Sequence, residues 1–304
     1  PGGVKKGINY NADGSVTLVL YDKDTKGERH DWCYLIGDFN GFKRTKEYAM
    51  KRDEQLGVWW YTIPSVQKGK EYLFQYYLGK GDSSVKIHDP YTTIVYDSSN
   101  DKYISSSTYP GLRSYPEGTS GLVGAFCHSG EGYQWKNTDF KIKDPDDLII
   151  YELHLRDFSS TSDLNGAFEK LDYLSDLGVG AIELMPIQEF DGNDSWGYNP
   201  CSYFALDKAY GSSDRYKEFI DECHSRGIAV LVDVVYNQAT GAHPYAKMYW
   251  DASANRTASN NPFFNVEAPH PYNVFHDWNH ENEVVRAHVK ESLEYLLTEY
   301  KVDG

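Results

Sequence analysis

The hydrophobic pattern of this 304-residue chain changes period once, near residue 147, and the change limits what each part can fold into. Up to about residue 110, short β-branched and aromatic runs ("SVTLVLY", "DWCYLIGDFNGF", "GVWWYTIP", "KEYLFQYYLG") alternate with "NADG", "KDTKGE", "DEQLG" and "QKGK". That is the punctuation of hairpins, so residues 1–110 are expected to form an all-β, immunoglobulin-like sandwich. Residues 111–146, rich in Ser, Gly, Pro and Lys, read as a linker.

From 147 onward, strand-like and helix-like segments alternate. "LIIYELHL" precedes a helical stripe on Leu164, Phe168, Leu171 and Leu174, and "VGAIELMPI" precedes one on Tyr216, Phe219, Ile220 and Cys223. "IAVLVDVVY" precedes a third on Val285, Val289, Leu293, Leu296 and Tyr300. Three βα units with nearly continuous apolar strands imply a parallel sheet covered by helices. Each helix returns to its strand at once, through Gly178 or Gly227, whereas the strand-to-helix connections run from about 187 to 212 and from 236 to 282. All elaboration therefore sits at the carboxyl ends of the strands, the ligand-binding face of a parallel α/β fold.

Composition narrows the partners. The net charge of −15 lacks the basic footprint that nucleic acid or an anionic membrane requires. No window approaches a membrane span, and a start at Pro1 suggests a processed or trimmed terminus. Cys33, Cys127, Cys201 and Cys223 show no CxxC spacing and leave the redox compartment open. The 26 tyrosines and 7 tryptophans suit sugar-ring faces, although β-rich domains also use them in strands.

Three stretches could carry chemistry. Asp233, in "VLVDVVYNQATG", is an acid in an apolar run: either a buried group satisfied by loop amides or an arginine, or part of a site. "EFDGNDSWGYNP" sets Trp196 and Tyr198 around Gly197 on the same face, as aromatic contacts or as loop packing. "HPYNVFHDWNHEN" carries His270, His276 and His280, which read as a polar loop lid rather than a metal site because Asp, Trp and Asn separate the last two. Neither GxGxxG, GxxxxGK[ST] nor GxSxG is present, which counts against nucleotide binding and a serine elbow.

Together, "IIYELHLRDF", "LGVGAIELMPIQEF", "SWGYNPCSYFALDKAYG", "RGIAVLVDVVYNQ" and the closing "YKVDG" resemble, in order and spacing, the α-amylase family, family 13 of the glycoside hydrolases. "YLIGDFNGF", "GVWWYTIP" and "KIHDPY" resemble the sandwich, akin to carbohydrate-binding module family 48, that precedes the barrel in branching and debranching members. The resemblance implies that residues 147–304 form the first part of a (β/α)8 TIM barrel whose parent protein hydrolyses α-1,4-glucosidic bonds with retention. Pullulanase- or isoamylase-type debranching, glucan branching and a non-catalytic starch-binding protein are the alternatives.

Residue by residue, the resemblance makes Asp233 the acid that supports the catalytic centre and Tyr198 the tyrosine on which the sugar at the cleavage point stacks, with Trp196 beside it. Gln238 stands where the family has a histidine that hydrogen bonds the same sugar. Asn237 matches a calcium-binding asparagine of many members, although debranching relatives often lack that ion, so no cofactor is required and calcium is optional. The family's nucleophile and general acid are expected beyond Gly304, which leaves none of the catalytic pair within residues 1–304 and predicts an inactive fragment. Further expectations are an α-glucan polysaccharide or oligosaccharide as partner, an extracytoplasmic location (secreted, periplasmic or surface-anchored), and self-association through the open sheet of a part-barrel.

Overall fold

A computed structural model describes residues 4–129 and 132–304; the trimmed start expected at Pro1 and positions 130–131 of the expected linker lie outside the described residues. The first part holds β1 (Gly7–Tyr10), β2 (Val16–Tyr21), β3 (Trp32–Gly37), β4 (Lys51–Asp53), β5 (Val58–Ile63), β6 (Glu71–Lys80), β7 (Ser83–Ile87), β8 (Val95–Tyr96) and β9 (Val123–Cys127). They form two antiparallel sheets, in the orders β1-β2-β5-β4 and β3-β6-β9-β8, with β7 added to β6. The two-residue period decides which side chains meet between them: Val16, Leu18 and Leu20 of β2 face Cys33 and Leu35 of β3 and Phe74, Tyr76 and Leu78 of β6 in one core.

β9 lies inside the stretch expected to be linker, 111–146, so the sandwich reaches Cys127 rather than ending at 110. Its strand signal is weak because Gly124 and Ala125 replace the usual branched residues, and the packing explains why. A Cβ on Gly124 would stand 3.0 Å from Thr92 Oγ1, the hydroxyl that accepts from Ala125 N at 3.0 Å. Farther along the expected linker, Lys136 and Asn137 are tied to the second part: Asp221 accepts from the backbone N–H of Lys136 (2.8 Å) and Asn137 (2.9 Å).

The second part begins with β10 (Ile150–Leu153), then α1 (Leu155–Phe158), α2 (Leu164–Phe168), α3 (Leu171–Asp176), β11 (Ala181–Leu184), α4 (Ser213–Ser225) and β12 (Ala229–Val232). β10, β11 and β12 are parallel neighbours in chain order. Asp303 N donates to Val230 O (2.8 Å) and Val232 N to Gly304 O (3.0 Å), so 302–304 extends the same succession past β12. An order that never reverses is that of a barrel wall, not of a doubly wound open sheet. Gly178 (φ +85°) and Gly227 (φ +73°) close their helices in left-handed turns; Val179 N reaches Leu174 O and Ile228 N reaches Cys223 O.

Two details differ from the sequence expectation. The stripe Leu164, Phe168, Leu171, Leu174 faces the core from two helices, not one, because Lys170 leaves helical geometry between α2 and α3. In the third stripe Leu293 is exposed, while Val285, Leu296 and Tyr300 are buried.

Between β12 and α6 (Glu283–Glu299) runs a long excursion containing β13 (Gln238–Ala239), α5 (Pro244–Met248), β14 (Trp250–Asp251), β15 (Arg256–Thr257), β16 (Phe264–Asn265) and β17 (His276–Trp278). It packs against the sandwich, and its Tyr245, Met248, Phe263 and Trp278 share one apolar cluster with the sandwich core. A buried carboxylate holds the seam: Asp22 accepts from Trp59 Nε1 (2.7 Å), His30 N (3.0 Å) and Tyr249 OH (2.5 Å), the last across the interface. Among the described residues no helix is long and apolar enough to cross a membrane.

Candidate functional site

The parallel register sorts the barrel side chains into two faces. Leu153, Ile182, Leu184 and Val230 pack under the helices, while Glu152 and Glu183, paired in register, take the opposite face with Leu231. Asp233, two residues beyond Leu231, continues that inner face just past the end of β12, and it is half-buried. Three carboxylates thus line the inside of the wall. Glu152 and Glu183 were not singled out from sequence, although they carry the signal used for Asp233, an acid inside an apolar run.

The loop after β11 brings the aromatic pair to the same place. It folds back as a ladder, with Glu189 N donating to Ala205 O (2.9 Å) and Cys201 N to Glu189 O (2.9 Å). At its tip Gly197 adopts φ +90°, and a Cβ there would stand 2.3 Å from the Pro186 carbonyl oxygen. Only glycine fits so tight an approach in that conformation. Ser195 Oγ accepts from Gly197 N (2.9 Å) and fixes the turn from inside.

This turn presents Tyr198, 36% exposed, and Trp196, 60% exposed. Tyr198 OH donates to Asp233 Oδ2 across 2.7 Å, so residues from two successive loops meet over the strand ends. Burial, then the Asp233 hydrogen bond and charge, and behind them Glu152 and Glu183, push the phenol up to about 12. It stays a donor throughout the neutral range.

The structure brings Tyr198, Asp233 and Gln238 together, but it turns Gln238 toward protein. Its side chain is buried, Nε2 donates to Tyr198 O (2.9 Å) and Oε1 accepts from Asn237 Nδ2 (2.7 Å). Asn237 is exposed beside it and also reaches Tyr272 O (3.4 Å). Among the described residues no three His, Cys, Asp or Glu side chains converge in a way that could hold a metal ion.

The three loop histidines do not share a centre. His270 Nε2 lies 2.8 Å from Asp277 Oδ1, and His280 Nε2 donates to Tyr236 O (2.7 Å). His276, expected in loop, opens β17, where Asp277 pairs with Gln238 and Asn265. A second set of groups, missed in the sequence, lines the rim after β10. His154 bridges Asp157 Oδ2 (2.9 Å) and Ser195 O (3.2 Å), and Arg156 joins Asp157 (2.8 Å) to Asp194 (2.5 Å). The adjacent Arg156 and then His154 hold the Asp157 carboxyl well below its usual range.

Comparison with known proteins identifies both parts of the chain. Residues 135–275 match the α-amylase catalytic domain, and residues 28–92 match carbohydrate-binding module 48, the isoamylase N-terminal domain. The malto-oligosyltrehalose trehalohydrolase of Saccharolobus solfataricus is 30% identical over 222 residues, 73% of this chain and 36% of that protein. The 1,4-α-glucan branching enzyme of Photobacterium profundum is 28% identical over 284 residues, 89% of this chain and 35% of its own length. A pullulanase from Paenibacillus barengoltzii, in a mutant crystal structure with maltotetraose, has the same fold at 20% identity and a TM-score of 0.72, covering 100% of this chain and 48% of its own. This chain therefore spans about a third of the length of the curated relatives it matches.

Proposed function

Because this chain belongs to the α-amylase family, with a module 48 sandwich ahead of its barrel, we propose that the protein acts as a glycosidase on α-linked glucans through the face where Tyr198 meets Asp233. The observation that carries the reading is the pairing of an exposed aromatic ring with a carboxylate at the carboxyl ends of β11 and β12. A phenol ring offers a flat face to the C–H surface of a glucose unit, and a carboxylate accepts from its hydroxyls. Both contacts shape the substrate. The bond-breaking step of this class needs two further carboxyl groups about 5 to 5.5 Å apart, one attacking the anomeric carbon and one protonating the leaving oxygen. Asp233 supports that step by holding Tyr198 and the sugar between them.

The relatives favour α-glucans from two sides: a branching enzyme and a malto-oligosyltrehalose trehalohydrolase by name, and a pullulanase fold crystallised with maltotetraose. The trehalohydrolase relative supports a second reading, in which the same face takes a malto-oligosyltrehalose. The test is titration calorimetry of the 304-residue chain with maltotetraose, wild type against Tyr198→Ala. Saturable binding lost in the variant supports the proposal; equal binding by both overturns it. Titration of the same chain with malto-oligosyltrehalose beside maltotetraose separates the two readings by which ligand binds more tightly.

A further inference from the structure

We infer that Gln238 is a positioning residue that fixes the sugar-stacking tyrosine from behind, instead of contacting the sugar as the family's histidine does; the inference rests on the glucan-binding reading of Tyr198. Three observations carry it. The side chain is 6% exposed, so it presents almost nothing to a ligand. Its two polar ends are both engaged by protein: Nε2 donates to the Tyr198 carbonyl (2.9 Å) and Oε1 accepts from Asn237 Nδ2 (2.7 Å). The orientation of the amide is not free, because a backbone carbonyl can only accept and the Asn237 nitrogen can only donate.

The third observation is that the root of the side chain is anchored. Gln238 pairs with Asp277 in the β13–β17 ladder, and its own carbonyl accepts from Tyr203 OH (2.6 Å), a hydroxyl that in turn accepts from Trp278 Nε1 (2.9 Å). Tyr198 is consequently held at two points by one short segment. Asp233 takes its phenol (2.7 Å) and Gln238 takes its backbone (2.9 Å), and only the four residues 234–237 separate the two holders. The Gly197 turn allows the backbone to be placed there but does not set which way the ring leans; the two-point hold does. Because an amide does not titrate, the Gln238 point of the hold does not itself change its proton count with pH.

Substitutions that differ only in donor capacity test this. In Gln238→Glu an ionised carboxylate faces the Tyr198 carbonyl and repels it, whereas the protonated acid has an O–H that restores the bond. Gln238→Met keeps the shape and never donates. Maltotetraose binding to the 304-residue chain, measured at pH 7.5 and pH 5, is expected to fall about tenfold for Gln238→Glu at the higher pH and to return to within about twofold of wild type at the lower. Gln238→Met is expected to lose a similar factor at both. Wild-type affinity in Gln238→Met, or a Gln238→Glu loss that does not change with pH, overturns the inference. If neither wild type nor variant binds maltotetraose, the glucan reading fails, and backbone amide exchange across 196–199 decides the clamp. Faster exchange in Gln238→Met supports it and unchanged exchange overturns it.

Discussion

The Tyr198 hydroxyl lies 2.7 Å from Asp233 Oδ2, joining the loop after β11 to the end of β12 at the centre of the candidate site. The bond orients the ring but does not create its flat face. Tyr198→Phe is therefore expected to weaken maltotetraose binding about fivefold, the equivalent of one net hydrogen bond of ~1 kcal/mol. Tyr198→Ala, which also removes the ring, is expected to lose about 25-fold in all, on the order of a further 1 kcal/mol of aromatic contact. Calorimetry at one pH checks both, and a Phe variant as weak as the Ala variant would show that the ring face contributes nothing.

Gly197 makes a sharper claim, because two independent obstacles stand against any side chain there. With φ at +90° an L-residue is strained, and its Cβ would meet the Pro186 carbonyl oxygen at 2.3 Å. Gly192, on the same loop, has φ +84° but open space around it. Gly197→Ala should thus displace the turn and reduce maltotetraose affinity at least fivefold, while Gly192→Ala carries only a conformational penalty of about 1 kcal/mol and leaves affinity within twofold. Equal effects from the two alanines would contradict the close packing on Pro186.

These elements also mark how far the sequence could be read. Barrel strands were legible because buried parallel strands are continuous apolar runs, and Gly178 and Gly227 announced the helix ends. Asp233 and Tyr198 stood out for the same reason in reverse, a charge in an apolar run and aromatics flanking a glycine. Strand β9 was hidden because Gly124 must sit against Thr92, a long-range contact that removes the residue types by which strands are recognised. Gln238 was legible as a position but not as an orientation: nothing in "YNQATG" states that its amide turns to the Tyr198 carbonyl, since that partner lies forty residues away. The rim groups His154, Arg156 and Asp194 were missed because they are brought together only by the loop fold.

Asp22 is one of the groups that join the sandwich to the barrel excursion, and removing its cross-interface partner should be measurable. Burial opposes the charge, but hydrogen bonds from His30, Tyr249 and Trp59 outweigh it and hold the carboxyl below its usual range. Its folded value lies below the unfolded one, so its contribution is present above the usual carboxylate range near pH 4 and is lost as pH falls through the folded value. Tyr249→Phe removes one charge-assisted bond and should lower stability by about 1.5 to 3 kcal/mol at pH 7, with a difference from wild type that shrinks at an acid pH where the Asp22 carboxylate is protonated. Urea denaturation at the two pH values tests this, and a difference that does not shrink in acid would exclude Asp22 as the group responsible.

His288 gives a prediction that depends only on a difference between two proteins. It is buried among Tyr91, Tyr203, Trp278 and His243, and neither ring nitrogen has a hydrogen-bond partner among the described residues. Burial, with a minor contribution from Lys6, lowers its pKa to about 3, whereas an unfolded histidine titrates near 6.5. Between those values the unfolded chain binds a proton that the folded chain refuses, so stability falls as pH falls, by up to about 1.4 kcal/mol per pH unit for this one group. Asp89 and Asp207, both raised by burial to about 6, act in the opposite direction and partly mask the effect in the wild type. They are present in both proteins and cancel in the comparison. His288→Leu, of similar volume and without the proton, should therefore match or exceed wild-type stability at pH 7.5 and gain on it by about 1 kcal/mol or more at pH 5. Urea midpoints at pH 7.5, 6 and 5 measure the gap, and parallel curves for the two proteins would mean that His288 already takes up its proton in the folded state.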